Sequence, residues 1–280
     1  MAEKSFDLQP EDYTDPACPF CTDQYQKEPP VKSIPTGRVL DKLDEHFAKN
    51  DYAGAERHLL YWRGEADLGH DRRGALLIAN ELMGLYRKTG RLVEAKKEAE
   101  TALSTAAELG VEEETAGGTA CLNAATVYKA AGEPERSLTL FQKARAVLEE
   151  AASDQPGLLA GLYNNMALTL VDLARFDEAE ELYKKALDLL TRVGGGQADA
   201  AVTWLNLADL YTARDGAEAA ESSVATCIER AAALLDTPEL PRDGYYAFVC
   251  EKCAPSFGYY GYFLLEQTYR ERAKSIYERT

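Results

Sequence analysis

Histidine, tryptophan and methionine are scarce in this 280-residue chain, at three, two and three residues. His46, His58 and His70 form no i, i+4 pair and no His-Glu-x2-His run occurs, so a helix-borne zinc hydrolase pattern is absent. Gly-x4-Gly-Lys-Ser/Thr and strand-following Gly-x-Gly-x2-Gly loops are also missing; Gly194-Gly195-Gly196 reads as a turn. No Ser/His/Asp arrangement stands out, and the acidic residues are spread along solvated helix faces. The expectation is a protein without catalysis. Six cysteines are far too few for a disulfide scaffold, and cytosolic thiols stay reduced. No apolar run approaches the roughly 18 residues of a membrane span. Residues 1–10 have no apolar core behind Lys4, so a cytoplasmic location is expected and a secretory leader is not. Positive charge is in deficit: 31 Lys and Arg against 47 Asp and Glu leave a net charge of −16. Nucleic acid and anionic membranes, which select basic surfaces, are therefore not expected as partners.

Proline divides the chain. Six of eleven prolines fall in the first 36 residues, a stretch too poor in aliphatics to bury a core alone, so 1–36 reads as an extended arm. Between Thr36 and Thr237 only Pro134 and Pro156 occur, each between apolar-periodic runs rich in Ala, Leu, Glu and Lys. Such runs mean helix after helix, and an all-α fold is the result.

The helices repeat. A small–bulky–small triplet recurs as Ala95-Ala99-Ala102, Ser137-Phe141-Ala144, Ala179-Tyr183-Ala186 and Ala220-Val224-Cys227, with Ala55-Leu59-Trp62 as a divergent first copy. The helix before each triplet carries Glu81-x-Met83-x2-Tyr86, Asn123-x-Ala125-x2-Tyr128, Asn165-x-Ala167-x2-Leu170 or Asn206-x-Ala208-x2-Tyr211. Both patterns share a period of about 42 residues, which predicts a solenoid of stacked helix pairs. Spacings of three and four put each triplet on one helix face, where small residues allow close approach and the bulky one fills the groove beside it. Gly90 and Gly132 are placed to end first helices.

Tyr163-Asn164-Asn165-Met166-Ala167 followed by Ala179-x3-Tyr183-x2-Ala186-Leu187 resembles the tetratricopeptide repeat (TPR). The 42-residue spacing and Asn-x-Ala element are similar to the longer repeats of kinesin light chains and bacterial peptide-sensing TPR proteins. The resemblance runs from about Arg38 to Leu235. It implies a right-handed superhelical solenoid of antiparallel helix pairs over 37–236, in about five repeats. Residues 237–280, where Pro255 should break a long helix, would form an atypical Tyr-rich helical cap.

The resemblance also implies that first helices line a concave groove. Asn123, Asn165 and Asn206, with Glu81 on the matching rung, would face it. Amides carry both donor and acceptor and can pair with the backbone of an extended peptide; equally, they could bond neighbouring helix backbones and only join repeats. Asn80, Gly84, Arg87, Thr126, Lys129, Asn164, Leu168, Asp172 and Asp209 share that face. The leading expectation is a scaffold that binds a protein or peptide. The alternatives are a peptide-responsive regulator acting on a separate effector chain and a zinc-stabilised adaptor. The last rests on Cys18-x2-Cys21 and Cys250-x2-Cys253, whose four thiolates would suit tetrahedral zinc. Against it, the pairs are 228 residues apart, and Cys250 and Cys253 could simply be buried in the cap. Ten of the 26 aromatics, Tyr245, Tyr246 and Tyr260 among them, fall in residues 242–280, either packed as cap core or displayed as a binding surface.

Overall fold

The computed structural model describes residues 30–279, which hold twelve α-helices and no strand. They pair as α1 (Thr36–Ala48) with α2 (Tyr52–Leu68), α3 (Arg72–Lys88) with α4 (Leu92–Leu109), and α5 (Thr115–Ala130) with α6 (Pro134–Ala151). The second half repeats this with α7 (Pro156–Asp172) and α8 (Phe176–Leu190), α9 (Gln197–Asp215) and α10 (Ala217–Leu235), α11 (Gly244–Tyr259) and α12 (Phe263–Tyr277). The chain forms the expected solenoid of stacked helix pairs.

Local chemistry sets the helix starts. Asp51 and Asp71 accept from the backbone N–H of Gly54 and Gly74 at 2.8 and 2.9 Å, satisfying donors that have no intrahelical partner. Pro134 and Pro156 occupy first helical positions, where a missing N–H costs nothing. Turns within pairs need a left-handed residue at a fixed register: Gly90, Gly132, Ala174 and Gly216 succeed one another at 42-residue steps with φ of +75°, +74°, +56° and +82°. Of these four, only Ala174 puts a side chain there. Ala174→Gly is therefore expected to raise stability by about 1 kcal/mol, read as a higher urea midpoint at unchanged slope.

The triplets are the core. Ala95, Ala99, Ala102, Ala144, Ala179 and Ala186 are fully buried, as are Leu59, Phe141 and Tyr183 between them. Ser137 fits the same seam because its hydroxyl donates to the Ala125 carbonyl at 2.8 Å. Repeats are also joined by a bridge that occurs three times. The Tyr86 hydroxyl donates to Glu56, which Arg91 grips at 2.8 Å while its guanidinium lies 4.4 Å from the Tyr86 ring. Tyr128, Glu100 and Arg136, then Tyr211, Glu180 and Arg214, repeat the arrangement. Between them, at α7, Leu170 replaces the tyrosine and Arg175 turns to its own Glu178.

One sequence expectation fails. Pro255 lies inside α11, which continues unbroken to Tyr259. Pro255 and Glu251 are both exposed, so the carbonyl left without its N–H sits on the solvent side of the helix.

The stack also bends round until its ends meet. First helices neighbour one another in the order α3, α5, α7, α9 and α11, and α11 then reaches α1. A Cβ placed on Gly244 would lie 3.2 Å from the Ala48 Cβ. Ala48 ends α1 and Gly244 opens α11. First helices run in one direction round the stack. A C-terminus meeting an N-terminus therefore means one superhelical turn that climbs about one helix length, roughly 20 Å at 1.5 Å per residue. The cap helix thus does more than cover the end of α9.

Residues 30–35 are part of this body. The Lys32 N–H donates to the Gly69 carbonyl at 2.8 Å, and the Ile34 N–H donates to the Asp71 carboxylate at 2.9 Å. A Cβ on Gly69 would stand 2.3 Å from the Lys32 carbonyl oxygen, so this crossing requires glycine.

Candidate functional site

Because first helices form the inner row, side chains on their shared face project into a lumen. Six helices side by side at about 10 Å would enclose a space about 8–10 Å wide after each helix's own 10–12 Å diameter is subtracted. The asparagines sit on this wall, half-buried. Asn123 on α5 donates to the Asn80 carbonyl oxygen on α3 at 3.3 Å, and Asn206 on α9 donates to Asn164 on α7 at 3.0 Å. Asn165 donates instead to the Gly161 carbonyl of its own helix at 2.9 Å. Each amide pair uses one donor and one acceptor, so two neighbouring helices are joined while further N–H and C=O capacity remains. The ladder pairs repeat two with three and repeat four with five.

Charge is concentrated along the same wall. Lys129 pairs with Asp172 at 3.2 Å. Asp209 accepts from the Tyr260 hydroxyl at 2.7 Å, and Tyr245 donates to Asp199. Thr126 turns its hydroxyl to the Asn123 carbonyl of its own helix, and Gly84 and Leu168 are half-buried beside these polar positions. Three charged groups have no hydrogen bond or ion pair among the described residues: Glu81 on α3, Arg87 at the end of α3, and Lys252 on α11. Removal from water pushes the Glu81 carboxyl above its ordinary range, reinforced by Asp44. It lowers the Arg87 guanidinium and Lys252 ammonium as well. Lys252 also lies within Coulomb reach of Arg87, Lys129 and Asp199, which places residues of α3, α5, α9 and α11 around one space. A cavity of about 180 Å³ opens between α7, α9 and α11, with Gly161, Asn164, Asp199, Tyr245, Phe248 and Lys252 on its walls.

Glu81 gives a signed pH dependence. The folded chain holds the Glu81 proton to higher pH than the unfolded chain does, so stability falls as pH rises from about 4.5 through the raised value. Glu81→Gln is expected to leave stability unchanged near about pH 4 and to increase it at about pH 8. Thermal melts of both proteins at the two pH values check this; equal gains at both would exclude ionisation as the cause.

The cap aromatics divide in two. Tyr246, Phe257 and Tyr269 are fully buried, and the Tyr246 and Tyr269 hydroxyls reach the Leu235 and Ala232 carbonyls of α10. Tyr259, Phe263 and Leu264 stand exposed at the α11–α12 turn. Cys250 and Cys253 are buried on α11, and burial pushes the Cys253 thiol up to about 12. Cys18 and Cys21 lie outside the described residues. Among the described residues, no group of three or more His, Cys, Asp or Glu is arranged to hold a metal ion.

Sequence reasoning missed the part that α11 plays in the lumen: Tyr245, Phe248 and Lys252 are absent from the candidates drawn from the repeat pattern. The only signal was the clustering of aromatics after residue 242, because α11 keeps a divergent register. Asp199 was missed because it lies more than a full turn before the Asn-x-Ala element.

Residues 158–233 match the tetratricopeptide repeat family model. KINESIN LIGHT CHAIN-RELATED 1 of Arabidopsis thaliana is 32% identical over 116 residues, which are 40% of this chain and 19% of that protein. The alignment thus spans about a fifth of the relative's length. Among solved structures, BtubC (BKLC) from P. vanneervenii superposes with a TM-score of 0.58 at 24% identity, covering 71% of this chain and 79% of that one. A kinesin light chain with TPR-like repeats from Podosopora anserina gives 0.52 at 18% identity, over 75% and 97% of the two chains. A Rap protein solved with Competence and Sporulation Factor gives 0.57 at 14% identity, over 86% and 63%. These structural likenesses establish the fold. No helix among the described residues is long and apolar enough to cross a membrane.

Proposed function

For a chain built from tetratricopeptide-type helix pairs, we propose a non-catalytic scaffold that takes an extended segment of a partner protein into the lumen of the superhelix. The carrying observation is the pair of amide bridges, Asn80–Asn123 and Asn164–Asn206, set on the inner wall with hydrogen-bonding capacity to spare. Amides held in place by one bond can offer the others to a peptide backbone at little entropic cost. A lumen about 8–10 Å wide suits an extended chain better than a helix 10–12 Å across. Arg87, Lys252 and Glu81, charged and without ion-pair partners among the described residues, supply selectivity for a segment of mixed charge. A peptide-responsive regulator of a separate effector chain would use the same binding step and differ only in passing the signal on.

Peptides selected from a displayed random library on the full chain, then measured by calorimetry, test this reading. The Asn123→Ala/Asn206→Ala double variant is expected to weaken a selected peptide at least about tenfold, since each lost hydrogen bond is worth about 1 kcal/mol. Unchanged affinity would show that the bridges only join repeats.

A further inference from the structure

An extended segment has two ways into a closed turn of helices: threading through an end or entering from the side. The side wall is held most lightly where α1 and α11 meet. Elsewhere first helices are backed by second helices and by the Tyr–Glu–Arg bridges between repeats. At the meeting point two helix ends touch, Ala48 against Gly244, and a cavity of about 580 Å³ lies beside them. One side chain spans the gap. The Lys88 ammonium of α3 lies 5.4 Å from the Phe47 ring and 4.9 Å from the Tyr52 ring of the first repeat. It also lies 4.1 Å from the Phe248 ring of the last. A cation facing three rings from both sides of a junction is a fastening, and the unfilled space around it marks the junction as the least packed place on the turn.

We propose that the α1–α11 junction is a clasp, fastened by Lys88, that opens to admit a polypeptide segment sideways to the lumen and closes over it. The idea rests on the lumen as the binding site. Opening separates α11 from α1 and α3, carrying Phe248 and Lys252 away from Lys88 and Arg87. The other five helix pairs need not move relative to one another. Closing brings Lys252 back beside Arg87 and Lys129, so the inner wall is complete only in the fastened state.

Spin labels on unnatural amino acids at Glu45 in α1 and Lys274 in α12, both exposed, report the junction by pulsed dipolar spectroscopy. Two distances are expected in the full chain. Lys88→Ala should raise the long-distance population at least about threefold and Lys88→Arg should not, because arginine keeps the cation over the rings. One narrow distance, unmoved by Lys88→Ala in a variant whose circular dichroism is unchanged, would overturn the clasp. Ala48→Cys/Gly244→Cys supplies the second arm, since the 3.2 Å between Cβ positions is close to disulfide spacing. With a library-selected peptide as probe, the oxidised variant should associate at least about tenfold more slowly than its reduced form. Equal rates would also overturn the clasp. If the library yields no binder, the peptide-binding reading fails, and the spectroscopy still decides whether the clasp opens.

Discussion

Asp71→Ala should cost about 3 kcal/mol of stability, because one carboxylate serves two buried backbone donors. Its oxygens accept from Gly74 at the start of α3 and from Ile34 in the segment that leads into α1. The residue is 6% exposed, so water cannot replace the carboxylate when it is removed. Loss of an N-cap alone costs about 1 kcal/mol, and each buried N–H left without a partner adds about 1–3. Gly69, packed against the Lys32 carbonyl, leaves little room for that segment to move and recover its bonds. Asp71→Asn keeps one carbonyl oxygen and should lose about half as much, which separates hydrogen bonding from shape. Urea unfolding followed by circular dichroism measures both variants. A loss below about 1 kcal/mol for the alanine would mean that the N–H of Ile34 finds another acceptor.

Phe141→Ala should cost about 3–5 kcal/mol and also change how the protein unfolds. Phe141 is fully buried on α6, in the middle of the stack, between Ser137 and Ala144. No small neighbour can expand into its place, since Ala102, Ala144 and Ala125 around this seam are themselves short and fully buried. A solenoid holds together through nearest-neighbour contacts, so a cavity in the central repeat weakens both interfaces at once. Two transitions in urea are therefore expected in place of one, with the halves on either side of α5–α6 melting separately. Leu59→Ala removes a fully buried side chain of comparable role from the first repeat. It should lower one end of the stack and leave the centre cooperative. A single transition with an unchanged slope for Phe141→Ala would show that contacts across the superhelical turn couple the halves.

Much of the fold was legible because the features that make a repeat are local. Triplets such as Ala179-Tyr183-Ala186 state which face of a helix is buried, and Gly90 and Gly132 mark where the chain turns. Ala174 carries no such mark, yet its register gives it the same left-handed conformation; there the tertiary stack overrides a residue's own preference. Pro255 shows the opposite case. Taken alone, proline signals a break, but on the exposed side of α11 its cost is small beside the packing of Tyr246, Val249, Cys253 and Phe257 on the buried side.

The candidate site was legible in part and for the same reason. Positions spaced by one repeat share a face, so Asn123, Asn164 and Asn206 could be placed on the inner wall from their numbers. That Asn123 would pair with Asn80, and Asn206 with Asn164, while Asn165 turns to its own helix, depends on side-chain distances between helices.

The sequence by itself determined the all-α class, the period of about 42 residues, the buried faces and the acidic net charge, since each comes from residue type and spacing within one or two helices. Only the tertiary structure decided that the stack comes full circle. A few degrees of tilt per repeat, set by how Ala99, Phe141 and Tyr183 seat against the next pair, accumulate over the row. That sum brings Gly244 to Ala48, Phe248 to Lys88 and Lys252 towards Arg87, partners so far apart in the chain that no local pattern encodes them.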